Sequence, residues 1–96
     1  MLTHAVLFKF KPETTAEQTA QLEAGLKGLP AVISDIREFR VGRDVVRSER
    51  SYDLGLVSAF ADLDALQRYQ VHPAHQEVVN QVKVLCAAVV AVDFEA

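Results

Sequence analysis

Hydrophobic and polar positions alternate with a period of two near the start of the chain. From Leu2 to Phe10, one set of alternate positions is mostly large and apolar and the other is mixed. Successive side chains of a strand point to opposite faces of a sheet, so this period predicts a strand, and Pro12 ends it. His4 shares one face of the strand with Val6 and Phe8.

The period then changes to that of a helix. Thr14 followed by Glu17 is a capping-box pattern, which marks the start of a helix. Apolar residues recur at helical spacing until Gly28 and Pro30 break the pattern. These apolar residues are Leu22, Leu26 and Leu29. The pattern predicts the first helix.

Two strands are predicted in the middle of the chain. Residues 36–41 mix apolar and charged side chains, as expected of a partly exposed strand near a sheet edge. Residues 52–60 are rich in leucine, valine and aromatic side chains, which favours a third strand. The charged residues 43–51 between them predict a solvated loop, with covering a cavity or binding an anion as alternatives.

The last third of the chain predicts two helical pieces and a strand. Asp62 can cap a short helix in which Leu63, Leu66 and Tyr69 share one face. Pro73 fits the first position of the second helical piece. Its apolar positions are Val78, Val82, Leu85 and Cys86, and residues 89–94 predict the final strand.

The order β-α-β-β-α-β predicts one ferredoxin-like α+β domain over residues 1–96, with a four-stranded antiparallel sheet and helices on one face. In the first, third and last strands both alternating sets are largely apolar. A sheet with one solvated face alternates cleanly between apolar and polar residues instead. No segment remains to cover the second face, so sheet-to-sheet packing of two copies is expected, as a homodimer.

Composition and charge narrow the function classes. Half of the residues are hydrophobic, 24% are charged and the net charge is −3, which is typical of a folded globular protein. Lysine and arginine are scattered among acids, so a nucleic-acid partner is not expected. Apolar stretches fall short of the roughly 20 residues that cross a bilayer, and no export signal is seen. The single cysteine, Cys86, is expected to be a small buried hydrophobe in a cytoplasmic protein.

The segment with the most closely spaced side chains capable of proton transfer is Y-Q-V-H-P-A-H at residues 69–75. Pro73 makes His72 the expected helix cap and places His75 in the first turn, where the helix dipole disfavours imidazolium. A neutral imidazole can accept a proton and a tyrosine hydroxyl can orient a carbonyl or phenol. His75 and Tyr69 are therefore candidate catalytic residues. A purely structural helix junction is the alternative.

Four further residues are candidates for substrate binding. They are His4, Val6, Phe8 and His72. His4 is expected near His75 if its strand face meets the helices, and is otherwise a core histidine. His72 and His75 lack a third ligand, so no metal site is predicted. No phosphate-binding loop, nucleophile elbow or cysteine pair is present, and no cofactor is predicted.

Motifs along the whole chain together resemble the stress-responsive A/B barrel family. They are H-A-V-L-F-K-F-K at residues 4–11, Y-D-L-G-L-V at 52–57, Y-x-x-H-P-x-H at 69–75 and V-D-F-E at 92–95. The resemblance implies a dimeric α+β barrel in which two sheets face each other and the helices lie outside. In a similar plant polyketide cyclase, the catalytic tyrosine and histidine match Tyr69 and His75, and a pocket histidine matches His4.

The resemblance implies cofactor-free, base-assisted chemistry of the aldol cyclase or lyase type. The substrate would be a small carbonyl or phenolic metabolite in an apolar pocket. The third strand departs from the cyclase, because Leu54 and Leu56 stand where a polar pocket residue is expected. One alternative is a noncatalytic stress-response or interaction module. Another is a cofactor-free monooxygenase or isomerase of the related barrel superfamily.

Overall fold

The computed structural model describes residues 1–96 and contains the elements in the predicted order. The strands are β1 (Leu2–Phe10), β2 (Glu38–Arg43), β3 (Leu54–Phe60) and β4 (Cys86–Glu95), and the helices are α1 (Ala16–Lys27), α2 (Leu63–Val71) and α3 (Pro73–Leu85). A short 3₁₀ turn, Leu29–Ala31, follows α1. The α+β ferredoxin-like fold is confirmed.

The four strands form one antiparallel sheet in the order β2-β3-β1-β4. In this register His4 of β1 lies opposite Ser58 of β3 and Asp93 of β4. A bulge interrupts the β1–β4 pairing near its end and leaves Ala87 without a partner on β1. The sheet therefore places side chains distant in sequence on one face with His4.

The core lies between the helices and one face of the sheet. Leucines of α1 pack there with apolar residues of β1 and β3, and α2 adds Leu66 and Tyr69. Removing one large apolar side chain from water stabilises the fold by about 1.5 to 3 kcal/mol. The predicted leucine stripe is confirmed: Leu22 and Leu26 are buried in α1, and Leu29 in the turn that follows.

The cap of α1 differs from the prediction by one residue. Thr15, not Thr14, is the N-cap: its hydroxyl accepts from Gln18 N at 3.1 Å, and the Gln18 side chain accepts from Thr15 N at 2.9 Å. The sequence fits the capping-box pattern in both registers. A distant contact selects one of them, because the Thr14 hydroxyl donates to the carbonyl of Leu85 at 2.8 Å.

The first residues of three strands also differ from the prediction. β2 begins two residues later than predicted, since Ile36 packs against the core from the preceding turn. β3 begins at Leu54 rather than residue 52, and β4 begins at Cys86 rather than residue 89. The assignment of Cys86 to the helix was therefore wrong, since Cys86 pairs with Phe10 in the sheet. The continuous apolar run around Cys86 has no period that could locate the boundary.

Two smaller observations concern exposure. Leu63 is 58% exposed, so of the predicted apolar face of α2 only Leu66 and Tyr69 are buried, together with Ala65 beside them. Leu63 follows the capping residue Asp62 directly and lies at the exposed start of the helix.

Cys86 is buried as predicted, and burial raises the pKa of its thiol. None of the helices is long and apolar enough to cross a membrane.

The second face of the sheet, called the outer face below, is largely apolar and has no helix over it. Its large side chains are Leu7, Val57, Val90, Val92 and Phe94, which are 45 to 57% exposed. The two-sided apolar character predicted for the strands is thus present. One side packs against the helices and the other remains half exposed in the single chain.

Candidate functional site

A cavity of about 290 Å³ lies between the helices and the inner face of the sheet. Nine of its twelve lining residues are apolar or aromatic. The lining residues are His4, Val6, Phe8, Leu26, Leu56, Tyr69, His75, Val78, Val79, Val82, Lys83 and Val89. A cavity of about 150 Å³ holds one benzene molecule, so this one has room for an aromatic ring with a short substituent.

α3 presents one continuous stripe to the cavity. The stripe begins with His75, continues through three valines and ends with Lys83, at the helical spacing i, i+3, i+4, i+7 and i+8. Pro73 at the first position starts the helix and fixes this phase. Lys83 and Val89 are exposed, which marks the opening of the cavity between α3 and β4.

Tyr69 reaches the cavity from α2 and is completely buried. Its hydroxyl has no hydrogen-bond partner in the protein. Burial raises the pKa of Tyr69 to about 12, so the phenol is neutral and can donate a proton in a hydrogen bond. A buried hydroxyl without a partner costs about 1 to 3 kcal/mol of stability. The unpaired hydroxyl of Tyr69 therefore lowers the free energy of unfolding, and packing of the ring alone does not require that hydroxyl.

His75 stands beside Tyr69, with 4.3 Å between the ring centroids. His75 Nδ1 lies 3.1 Å from the carbonyl oxygen of Gln70. A carbonyl only accepts, so Nδ1 carries the hydrogen and donates it, and Nε2 of the neutral ring is left as a proton acceptor. Burial lowers the pKa of His75, and the nearby His4 and His72 act in the same direction. The neutral form expected from the sequence is favoured, chiefly through burial.

His4 contributes a second imidazole to the cavity. The ring is buried and meets the Tyr69 ring edge to face, with centroids 6.2 Å apart. Its Nδ1 pairs with the carboxylate of Asp93, which fixes the orientation of the ring. Sequence reasoning missed Asp93, although the V-D-F-E motif contains it. The signal that identifies it is the antiparallel register of β1 and β4, which places it opposite His4.

The remaining predicted site residues divide into two groups. Val6 and Phe8 line the cavity together with His4, as their shared strand face predicted. His72 does not line it, because its Nδ1 accepts the backbone N–H of Ala74 at 3.1 Å and caps α3. This placement matches the predicted cap and does not support His72 as a substrate-binding residue.

The loop rich in arginine lies outside the cavity lining. Arg47 pairs with Asp53 at 2.8 Å and with Asp44, and Arg43 pairs with Glu23 at 2.8 Å. These pairs are exposed and of the kind that contributes at most about 1 kcal/mol each. The loop is thus a solvated segment whose arginines pair with Asp44 inside it, with Asp53 next to it and with Glu23 of α1. No three histidine, cysteine or acidic side chains cluster closely enough to hold a metal ion.

Three known proteins resemble the chain over nearly its whole length. An uncharacterised protein of Streptomyces coelicolor is 34% identical over 98 residues, covering 99% of each chain. A dimeric ferredoxin-like protein of unknown function from Thermobifida fusca is 28% identical with a TM-score of 0.91, covering 99% of this chain and 90% of that one. A hydroxynitrile lyase from Passiflora edulis has a TM-score of 0.87 over 97% and 90% of the two chains, and at 16% identity it shows likeness of fold alone.

The family assignment follows from the match along the chain. Residues 2–96 match the family described as the Stress Responsive A/B Barrel Domain. The match includes the strand motifs, the tyrosine and histidine corner and the terminal strand that carries Asp93. The chain therefore belongs to the stress-responsive A/B barrel domain family.

Proposed function

We propose that the chain binds a small, mostly apolar metabolite with a carbonyl or phenolic oxygen in the cavity beside Tyr69. The observation that carries this proposal is the buried Tyr69 hydroxyl, which lies at a mostly apolar cavity and has no partner in the protein. A ligand oxygen would accept its hydrogen bond and remove the desolvation cost. The apolar walls, including Val6 and Phe8, would bind the rest of the ligand.

The same arrangement supports base-assisted chemistry of the aldol cyclase or lyase type. His75 Nε2 would take a proton from the carbon next to the ligand carbonyl, or from a hydroxyl. The Tyr69 hydroxyl would stabilise the negative charge that then develops on the oxygen. His4, oriented by Asp93, would contact the ligand from the sheet side. This chemistry requires a base, an oriented oxygen and an apolar pocket, and the chain supplies residues for all three.

Ligand binding is testable by thermal denaturation with a panel of phenols and β-keto acids. A ligand at 100 times its Kd stabilises the folded state by about 2.7 kcal/mol, which should raise the Tm of a domain of this size by roughly 10 °C or more. Tyr69→Phe should lose that response. His72→Ala is the matched control, because it removes a histidine outside the cavity lining and should keep the response.

Measuring the conversion of a bound compound distinguishes catalysis from binding alone. His75→Ala should abolish conversion of a bound β-keto compound while the thermal response persists, because the hydroxyl of Tyr69 remains. If no panel member raises the Tm, the cavity does not bind this class and the noncatalytic interaction module is favoured. In that case His75→Ala should alter only stability.

We also propose that two copies associate through their outer faces. The support is the continuous half-exposed apolar surface and the dimeric state of similar proteins such as the one from Thermobifida fusca. Sedimentation should show a dimer at micromolar concentration. Leu7→Lys places a charge in this surface and should raise the dimer Kd by about 100-fold or more. Gln67→Lys on exposed α2 is the control, and a monomeric wild-type chain would contradict the proposal.

A further inference from the structure

Lys83 ends the stripe of α3 that begins with His75. The two residues are eight positions apart, which corresponds to about 12 Å along the helix axis at a rise of about 1.5 Å per residue. The cavity therefore has two unlike ends. Tyr69 and His75 supply hydrogen-bonding groups at the inner end, and Lys83 supplies an ammonium group at the opening.

The charge of Lys83 has no carboxylate partner. Four of the ten lysines and arginines lie within ion-pair distance of an acid, namely Lys27, Arg43, Arg47 and Arg68, and Lys83 is among the six that do not. No aspartate or glutamate lines the cavity. Lys83 is thus the only lysine or arginine on an otherwise apolar and aromatic lining with two imidazoles. An anion at the opening would meet a cation and no lining carboxylate.

The volume of the cavity indicates the size of ligand that can reach from its inner end to its opening. About 290 Å³ accommodates one aromatic ring with a chain of a few carbons. Such a molecule, with an oxygen at Tyr69 and its body along the α3 stripe, would bring its other end toward Lys83. The stem of Lys83 is flexible, so its ammonium group can approach that end.

We propose that Lys83 binds a carboxylate of the ligand and thereby selects small organic acids. The ligand class is an acid with an apolar or aromatic body and a phenol or ketone at the end opposite the carboxylate. This inference rests on the ligand site proposed above, whose oxygen contact is Tyr69. It adds a specificity-determining residue and assigns a charge to the ligand.

The test compares 3-(4-hydroxyphenyl)propionate with its neutral amide by isothermal titration calorimetry. The two probes share ring, phenol and length, and differ in charge at one end. The wild-type chain should bind the acid about fivefold more tightly, as expected for a partly exposed charge pair. Lys83→Met should bind both probes equally, and Lys83→Arg should restore the preference. Lys27→Met, which removes the same charge from the exposed side of α1, should leave the preference unchanged.

The outcomes distinguish the two proposals. If both probes bind with equal affinity and Tyr69→Phe weakens both, selection of acids by Lys83 is refuted while the ligand site stands. A preference that survives in Lys83→Met also refutes the role of Lys83. If neither probe binds the wild-type chain, this acid class is refuted, and a thermal response to other phenols or β-keto compounds then decides the ligand site separately.

Discussion

The two faces of the sheet are both apolar, yet they differ in what accompanies the apolar residues. On β3, Leu56 faces the helices and is 2% exposed, whereas its neighbour Val57 faces outward and is 49% exposed. On the helix side the apolar lining is interrupted by Tyr69, His75 and His4. On the outer face the polar side chains are Thr3 and Lys9 near the ends of β1 and Glu38 and Arg40 on the edge strand β2, so they lie at the margins of the apolar residues. The comparison teaches that hydrophobicity alone does not distinguish the proposed ligand site from the proposed association surface, and that buried polar groups among the apolar residues do.

The largest expected effect on stability comes from truncating Leu56 and its neighbour Val57, which lie on opposite faces of the sheet. Leu56→Ala removes a buried side chain beside the cavity and should lower the free energy of unfolding by about 2 to 5 kcal/mol. Val57→Ala should lower it by less than about 1 kcal/mol at protein concentrations where the chain is monomeric, because Val57 is already half exposed. Urea denaturation measures both. Equal losses in dilute monomer would show that the outer face is covered within one chain.

A smaller effect of opposite sign is expected at Tyr69. Tyr69→Phe removes the unpaired hydroxyl and keeps the ring, so the free energy of unfolding without ligand should rise by about 1 to 3 kcal/mol. Tyr52→Phe is the matched control at a tyrosine outside this cavity and should change stability little. Differential scanning calorimetry measures both variants. A loss of stability in Tyr69→Phe would mean that the hydroxyl has a partner in the folded protein.

The smallest effect is a dependence of stability on pH. The pKa of His75 is lowered in the folded state, so the unfolded chain binds more protons between that pKa and the ordinary value near 6.5. Stability should therefore fall as the pH is lowered from about 7.5 through this window. Denaturation curves of His75→Gln should lack this contribution. The lowered pKa values of Glu23, Asp35 and Asp53 act at lower pH.

His72→Gln is the control for the pH experiment, since its ring serves as a helix cap rather than a cavity wall. It should lower stability through weaker capping, by about 0.5 to 2 kcal/mol, and keep the contribution of His75 below its ordinary pKa near 6.5. A wild-type pH dependence that persists unchanged in His75→Gln would assign the effect to another group.

The sequence predicts the fold and the corner at residues 69–75 because both depend on local signals. Strand period, Pro73 and the spacing of the histidines need no information from distant residues. The pairing of His4 with Asp93 joins residues 89 positions apart and depends on strand register, which the local pattern does not contain. The cavity depends on how α3 packs over the sheet, so the local sequence pattern does not predict that Lys83 and Val89 line it.

β4 forms a wall shared by two surfaces. Val89 and Asp93 point toward the cavity side, and Val90, Val92 and Phe94 point outward. A one-residue slip of this strand would exchange the two sets, exposing a carboxylate on the outer face and leaving His4 without its partner. The unpaired Ala87 at the bulge lies where β4 begins and shifts the alternation by one residue at that point. Cys86 can therefore pair with Phe10 and face the core, while residues 88–95 keep the alternation that divides the strand between the two surfaces.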